Sequence, residues 1–88
     1  MYEIIIQLQA EQFIKGLKKE EQKKLLGSID QLAQKPRLGK ELVGRLTGLR
    51  SLRAGIYRAI YKIEDIKLIV LVLRVGYRGN IYAQKFYK

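Results

Sequence analysis

The sequence predicts an α+β fold: an N-terminal strand, a two-helix hairpin, then an antiparallel meander of three to four strands, with the helices on one side of the sheet. Three patterns carry this reading. A β-branched run opens the chain, apolar residues then recur with a helical period as far as Pro36, and strand-like runs separated by turn residues fill the second half.

The opening run Tyr2-Glu3-Ile4-Ile5-Ile6-Gln7-Leu8 sets Tyr2, Ile4, Ile6 and Leu8 on one face of a first strand. From about Ala10 the period becomes helical, with Ala10, Phe13, Ile14 and Leu17 on one stripe. A second helix over 20–34 repeats Leu25, Leu26, Ile29, Leu32 and Ala33 on its apolar face, while Lys23, Lys24, Asp30 and Gln34 point away. Pro36 stops it, because proline disfavours helix at the residue before it. Residues 37–48 hold Gly39, Gly44 and Gly48 among charged residues and read as a loop with a turn of structure at Glu41 to Leu46. A strand Leu49 to Arg53, a turn at Ala54-Gly55, a strand Ile56 to Ile63, a turn at Glu64-Asp65 and a strand Lys67 to Val75 complete the meander. Within the last of these, Leu68 to Leu73 shows no alternation, so this strand is expected to be central and buried on both faces.

The 88 residues suit one domain spanning 1–88 and leave no room for a second core. The absence of His and Cys removes zinc, haem and iron–sulfur ligation, disulfides, and both Cys-His and Ser-His-Asp catalysis. The acidic pairs Glu20-Glu21 and Glu64-Asp65 diverge on a helix and at a turn, so no carboxylate cluster for Mg²⁺ is expected, and no cofactor. The longest apolar stretch is six residues, against the ~20 that span a bilayer. With no secretory signal at Met1-Tyr2-Glu3, the expected location is the cytoplasm, away from the membrane.

The net charge of +10 is unevenly spread: residues 1–44 carry +2 and residues 45–88 carry +8. Six of the seven arginines lie in the second half, and a guanidinium fork holds phosphate in a bidentate way that lysine does not. Tyr, Lys and Arg are what remain for proton chemistry, with reference pKa values of about 10 and above. Such groups suit phosphate. RNA cleavage by its own 2′-hydroxyl needs the 2′ oxygen, the phosphorus and the 5′ oxygen in line, and it needs stabilisation of the added negative charge, which arginines supply. DNA lacks that hydroxyl. Two segments offer such a site: the hairpin Leu52 to Tyr61, with Arg53 and Arg58 on neighbouring strands, and the glycine-flanked segment Val75 to Tyr82, with Arg78 and Tyr82. Plainer roles compete. Arg58 could pair with a helix carboxylate such as Glu20, Arg78 could be a solvated loop residue, and Tyr82 could pack against the sheet. Tyr57 and Tyr61 share a strand face with Ala59 and Ile63, which suits core packing.

The pattern Leu-Arg-x-Gly-x-Tyr-Arg-x-x-Tyr over residues 52–61, then a buried strand, then Val-Gly-x-Arg-x-x-Ile-Tyr over residues 75–82, resembles the RelE/ParE superfamily of bacterial and archaeal toxins. The resemblance covers nearly the whole chain and implies a RelE-like fold. Its RelE branch implies a ribosome-dependent mRNA endonuclease that needs no metal, inhibits translation, and is neutralised by a cognate acidic or amphipathic antitoxin, meeting DNA only through the antitoxin complex. Matching positions assign catalysis to Arg58, Arg78 and Tyr82; Arg50, Arg53, Tyr77 and Lys85 are further candidates for RNA or ribosome contacts. The chain departs from the pattern at two places on the strand before the hairpin, where RelE enzymes carry lysines used in proton transfer and this sequence has Leu49 and Ser51. A ParE-like inhibitor of DNA gyrase, or a toxin fold without catalysis, are the alternatives the resemblance leaves.

Overall fold

The computed structural model describes residues 1–79 and Ile81. Strand β1 (Glu3–Ile6) runs into helix α1 (Leu8–Lys15), which is followed by helix α2 (Lys19–Asp30). A tighter helical turn, Gln31–Ala33, extends α2, and another spans Pro36–Leu38. Then come β2 (Lys40–Glu41), a short turn Gly44–Leu46, β3 (Arg50–Ala54), β4 (Tyr57–Glu64) and β5 (Ile69–Tyr77). The strands form one sheet in the order β1-β5-β4-β3-β2. From β2 to β5 the pairing is an antiparallel meander, while β1 joins the edge of β5 in parallel. This is the α+β class that the sequence predicts, with a mixed sheet.

Period-two alternation sorts the sheet into two faces. Ile4 and Ile6 of β1, Leu52 of β3, Tyr57, Ala59 and Tyr61 of β4, and Val70, Val72 and Val75 of β5 pack with Ala10 and Ile14 of α1 and with Leu25, Ile29 and Leu32. That is the larger core, and it lies under the helices. Leu49, Ile60, Leu73, Leu46 and Ile81 form a second cluster with Leu42 and Leu71 alongside. A second core, for which the chain length seemed to leave no room, therefore exists as a smaller layer on the far side of the sheet. The unbroken apolar run in β5 explains it. A strand apolar on both faces needs cover on both, and the turn at Gly44–Leu46 together with Ile81 supplies it below.

Local differences from the sequence reading have local causes. β1 stops at Ile6, so Leu8 opens α1 as an exposed helical residue instead of continuing a strand face. Pro36 begins the second tight turn, where its missing N–H leaves no bond unmade. β2 has two residues, too few to display any period. The β3–β4 hairpin closes through Gly55-Ile56, with Gly55 at φ +62°, the left-handed conformation that glycine adopts without steric cost. The Tyr61 hydroxyl fixes the loop before β2: it accepts from the Gly39 N–H at 2.9 Å and donates to the Pro36 carbonyl at 2.7 Å.

Candidate nucleic-acid interface

The face of the sheet away from the helices carries the cations. Directly opposite residues of an antiparallel pair share a face. Arg53 of β3 stands opposite Arg58 of β4, which on its other side stands opposite Gly76 of β5. Gly76 has no side chain, so it adds no bulk beside the Arg58 guanidinium. One step along the ladder, Arg74 stands opposite Ile60, which on its other side stands opposite Ser51.

A β-bulge in β5 creates this arrangement. The register passes from Tyr61 opposite Val72 to Ile60 opposite Arg74, so Leu73 is the extra residue. Before the bulge, Val70 and Val72 face the helices; after it, Val75 and Tyr77 do, and the parity of the strand has flipped. Arg74 and Gly76 are thereby turned to the Arg58 face, which strict alternation from Val72 would have denied them. The ladder runs one residue further, since the Arg78 N–H donates to the Ile56 carbonyl at 3.1 Å. Continued alternation then sets the exposed Arg78 on the same face, just past the strand end.

Among the described residues, the four ion pairs join Glu11 to Lys15, Asp65 to Arg37, Glu41 to Arg50 and Glu64 to Lys62. None of these acids meets Arg53 or Arg78. Arg58 donates through one Nη to the buried Ser51 hydroxyl, a long contact of 3.4 Å, and an Arg74 Nη donates to the Leu73 carbonyl at 2.9 Å. Glu20, the alternative partner for Arg58, belongs to α2 and therefore to the opposite side of the sheet. The arrangement is a cationic surface on a rigid ladder, suited to an extended phosphodiester.

Not every residue singled out from the sequence joins it. Arg50 pairs in register with Tyr61, lies on the helix side and contacts Glu41 at 3.6 Å. Tyr77 also lies on the helix side, in an aromatic group with Phe13 and Tyr57 at centroid separations of 5.4–5.9 Å. Tyr57 is buried there and donates its phenolic proton to Glu21; that bond, then burial, pushes its pKa up to about 12. Tyr61 is fully buried, and burial raises its pKa. Leu49 and Ser51 are buried as well. Tyr82 and Lys85 lie outside the described residues. Arg74 is a cation of this face that sequence reasoning missed, and its signal is the bulge, which no residue type announces.

Among the described residues there is no group of three or more Asp or Glu that could hold a metal ion, and no helix is long and apolar enough to cross a membrane.

Comparison with known proteins agrees with this architecture. Toxin RelG of Mycobacterium tuberculosis (strain ATCC 25618 / H37Rv) is 44% identical over 54 residues, 60% of this chain. The chain spans 62% of the length of that curated relative. The toxin-antitoxin complex RelBE2 from Mycobacterium tuberculosis contains a chain that superposes with a TM-score of 0.80 at 30% identity, covering 88% of this chain and 98% of that one. The archaeal RelE-RelB complex from Pyrococcus horikoshii OT3 gives a TM-score of 0.72 at 26% identity, over 89% of this chain and 96% of that one. The profile of the ParE toxin of the type II toxin-antitoxin system parDE matches residues 4–82, from β1 through the cationic face. By that match the chain belongs to the ParE toxin family, within the RelE/ParE superfamily that its hairpin and Val-Gly-x-Arg motifs resemble.

Proposed function

We propose that the protein is a RelE-like toxin that cleaves mRNA on the ribosome and is held inactive by a cognate antitoxin. The observation that carries this reading is the opposition of Arg53 and Arg58 across β3–β4, with Arg74 and Arg78 turned to the same face by the Leu73 bulge. In the reaction the RNA 2′-hydroxyl gives up its proton as its oxygen attacks phosphorus, the P–O5′ bond breaks, and the 5′ oxygen leaves protonated as the alcohol, with a 2′,3′-cyclic phosphate left behind. Arg58 holds the scissile phosphate and Arg78 stabilises the charge that builds on its oxygens. Tyr82 orients the 2′-hydroxyl or takes its proton. Guanidinium groups do not deprotonate, so they bind and stabilise while proton movement falls to another group. Alignment of the RNA comes largely from the ribosome, which accounts for a small protein with an open face in place of a deep cleft. The partner reading is supported by the relatives, whose structures are toxin-antitoxin complexes.

The test is a translation extract with a defined mRNA and primer-extension mapping. Cuts at codon positions that disappear in Arg58→Ala and Arg78→Ala are the expected result. Intact mRNA together with blocked supercoiling by DNA gyrase would replace this reading with a ParE-like one. Two observations favour that second reading: the family profile is that of the ParE toxin, and Leu49 and Ser51 stand where RelE enzymes have lysines.

A further inference from the structure

On β2, alternation sorts two adjacent residues of opposite charge onto opposite faces. Lys40 pairs in register with Ser51 and Glu41 with Arg50. Glu41 therefore turns to the helix side, where it meets Arg50. Lys40 turns to the arginine face, where Arg53 is its diagonal neighbour and no carboxylate pairs with it among the described residues. Lys40, Arg53 and Arg58 line a cavity of about 390 Å³ that continues around the sheet edge to α2. Ser28 and Gln31 contribute neutral hydrogen-bonding groups to its wall, and Leu38 an apolar one. Among the described residues, no acidic side chain lines it.

Three cations and no acid fit an anion, and guanidinium beside ammonium fits phosphate in particular. The volume lies within the range typical of small-ligand sites, roughly 300–1,000 Å³. It exceeds what a bare phosphate fills, and the amide, hydroxyl and leucine on the α2 side suit a ribose and a base more than a second anion. We propose that this edge pocket binds one nucleotide of single-stranded RNA adjacent to the one being cut, with Lys40 as its phosphate contact. The proposal rests on the ribonuclease reading for the identity of its ligand. Lys40 was invisible in the sequence as a member of this surface, because only the two-residue β2 ladder brings it to Ser51 and Arg53.

The experiment measures binding of a 2′-O-methyl RNA hexanucleotide, which cannot be cleaved, by fluorescence anisotropy over a salt series. Each phosphate contact on a single strand contributes about 0.7 to the slope of log affinity against log salt. Lys40→Ala should reduce the slope by about that amount and weaken binding roughly two- to fivefold. Lys40→Arg should keep both, and Lys67→Ala, in the β4–β5 turn on an exposed site, should change neither. A slope in Lys40→Ala equal to that of the unaltered protein, with matching circular dichroism, overturns the proposal. So does weakened antitoxin binding with an unchanged RNA slope, which would make the pocket a protein contact. The same variants in the translation extract separate the two readings. Absence of mRNA cleavage by the unaltered protein, with Lys40 still setting the RNA slope, sinks the ribonuclease reading and keeps the pocket. Cleavage by Lys40→Ala at unchanged KM, with an unchanged slope, removes the pocket alone.

Discussion

Arg53 and Arg58 stand directly opposite each other across the β3–β4 ladder. Like charges in that relation oppose folding, while opposite or neutral pairs favour it, with differences of about 0.2–1 kcal/mol. A protein that keeps such a pair gains nothing in stability from it, which points to a ligand. Arg53→Thr should therefore raise stability by about 0.5 kcal/mol in urea denaturation and lower affinity for RNA. A variant that is less stable and binds RNA as before would show that the pair serves the fold.

The loop that carries β2 is tied to β4 by Tyr61 and Gly39. A Cβ added at Gly39 would sit 2.6 Å from the Tyr61 hydroxyl oxygen and 2.8 Å from the Ser51 carbonyl oxygen. Since φ here is −76°, space and not backbone conformation is what demands glycine. Gly39→Ala should cost about 1–3 kcal/mol through overpacking. Tyr61→Phe should cost a similar ~1–3 kcal/mol by stranding the Gly39 N–H and the Pro36 carbonyl. The double variant should cost less than the sum, because losing the hydroxyl relieves part of the clash. Strict additivity in denaturation midpoints would contradict this geometry.

Stability should fall at both ends of the pH scale, for separate reasons. Asp65 accepts from the Tyr2 hydroxyl and the Arg37 guanidinium, and these bonds, Tyr2 first, hold its pKa below the usual carboxylate value. Its contribution is complete above the ordinary aspartate pKa of about 3.9 and is lost as pH falls through the lowered value. Asp65→Asn should flatten the acid limb of the stability curve. Tyr57 behaves in the opposite sense: its pKa is raised to about 12, so its contribution is complete below the ordinary tyrosine value near 10 and fades as pH climbs toward 12. Tyrosinate absorbance during alkaline titration should show Tyr57 ionising late, and Tyr57→Phe should remove that phase. An unchanged titration would refute the Glu21 contact as its cause.

Removal of Leu73 tests the bulge. The deletion leaves Val72 followed directly by Arg74, a regular ladder in which Arg74 and Arg78 keep the open face and Tyr77 keeps the helix side. The RNA salt slope should therefore be retained while the Leu73 packing against Ile60 is lost; loss of the slope in a folded deletion variant would contradict this register. Substitution by Ala keeps the extra residue, so Leu73→Ala should cost about 2–5 kcal/mol in stability yet retain the RNA salt slope. Loss of that slope in a folded Leu73→Ala would mean that the side chain, not the pairing register, orients the arginines.

Much of this fold was legible because its signals are long. The helical stripe from Ala10 to Leu32 and the apolar run from Leu68 to Leu73 each span several periods, so α1, β4 and β5 are found to within about two residues, while the second helix, read as ending at Gln34, tightens after Asp30 into the turn Gln31–Ala33. β2 was illegible because two residues display no period, and the lower apolar layer was hidden because Leu42, Leu46 and Leu49 come from a loop with no repeat of its own. At the site, the parity of β3 does separate Arg50 from Arg53 in the sequence, one even and one odd. For Tyr77 and Arg78 parity is readable only once the bulge is known, since a bulge follows from packing between strands and leaves no local mark.

Because Leu73 stands outside the ladder, whether that residue is bulged or paired, rather than composition, determines which surface is electropositive. Two chains of this kind could share every residue from Ile69 onward, and the one that bulged at Leu73 would offer guanidinium groups to a polyanion while one that paired Leu73 in regular register offered a phenol ring. In comparing such chains, the pairing register of the last strand carries more weight for activity than several substitutions around it.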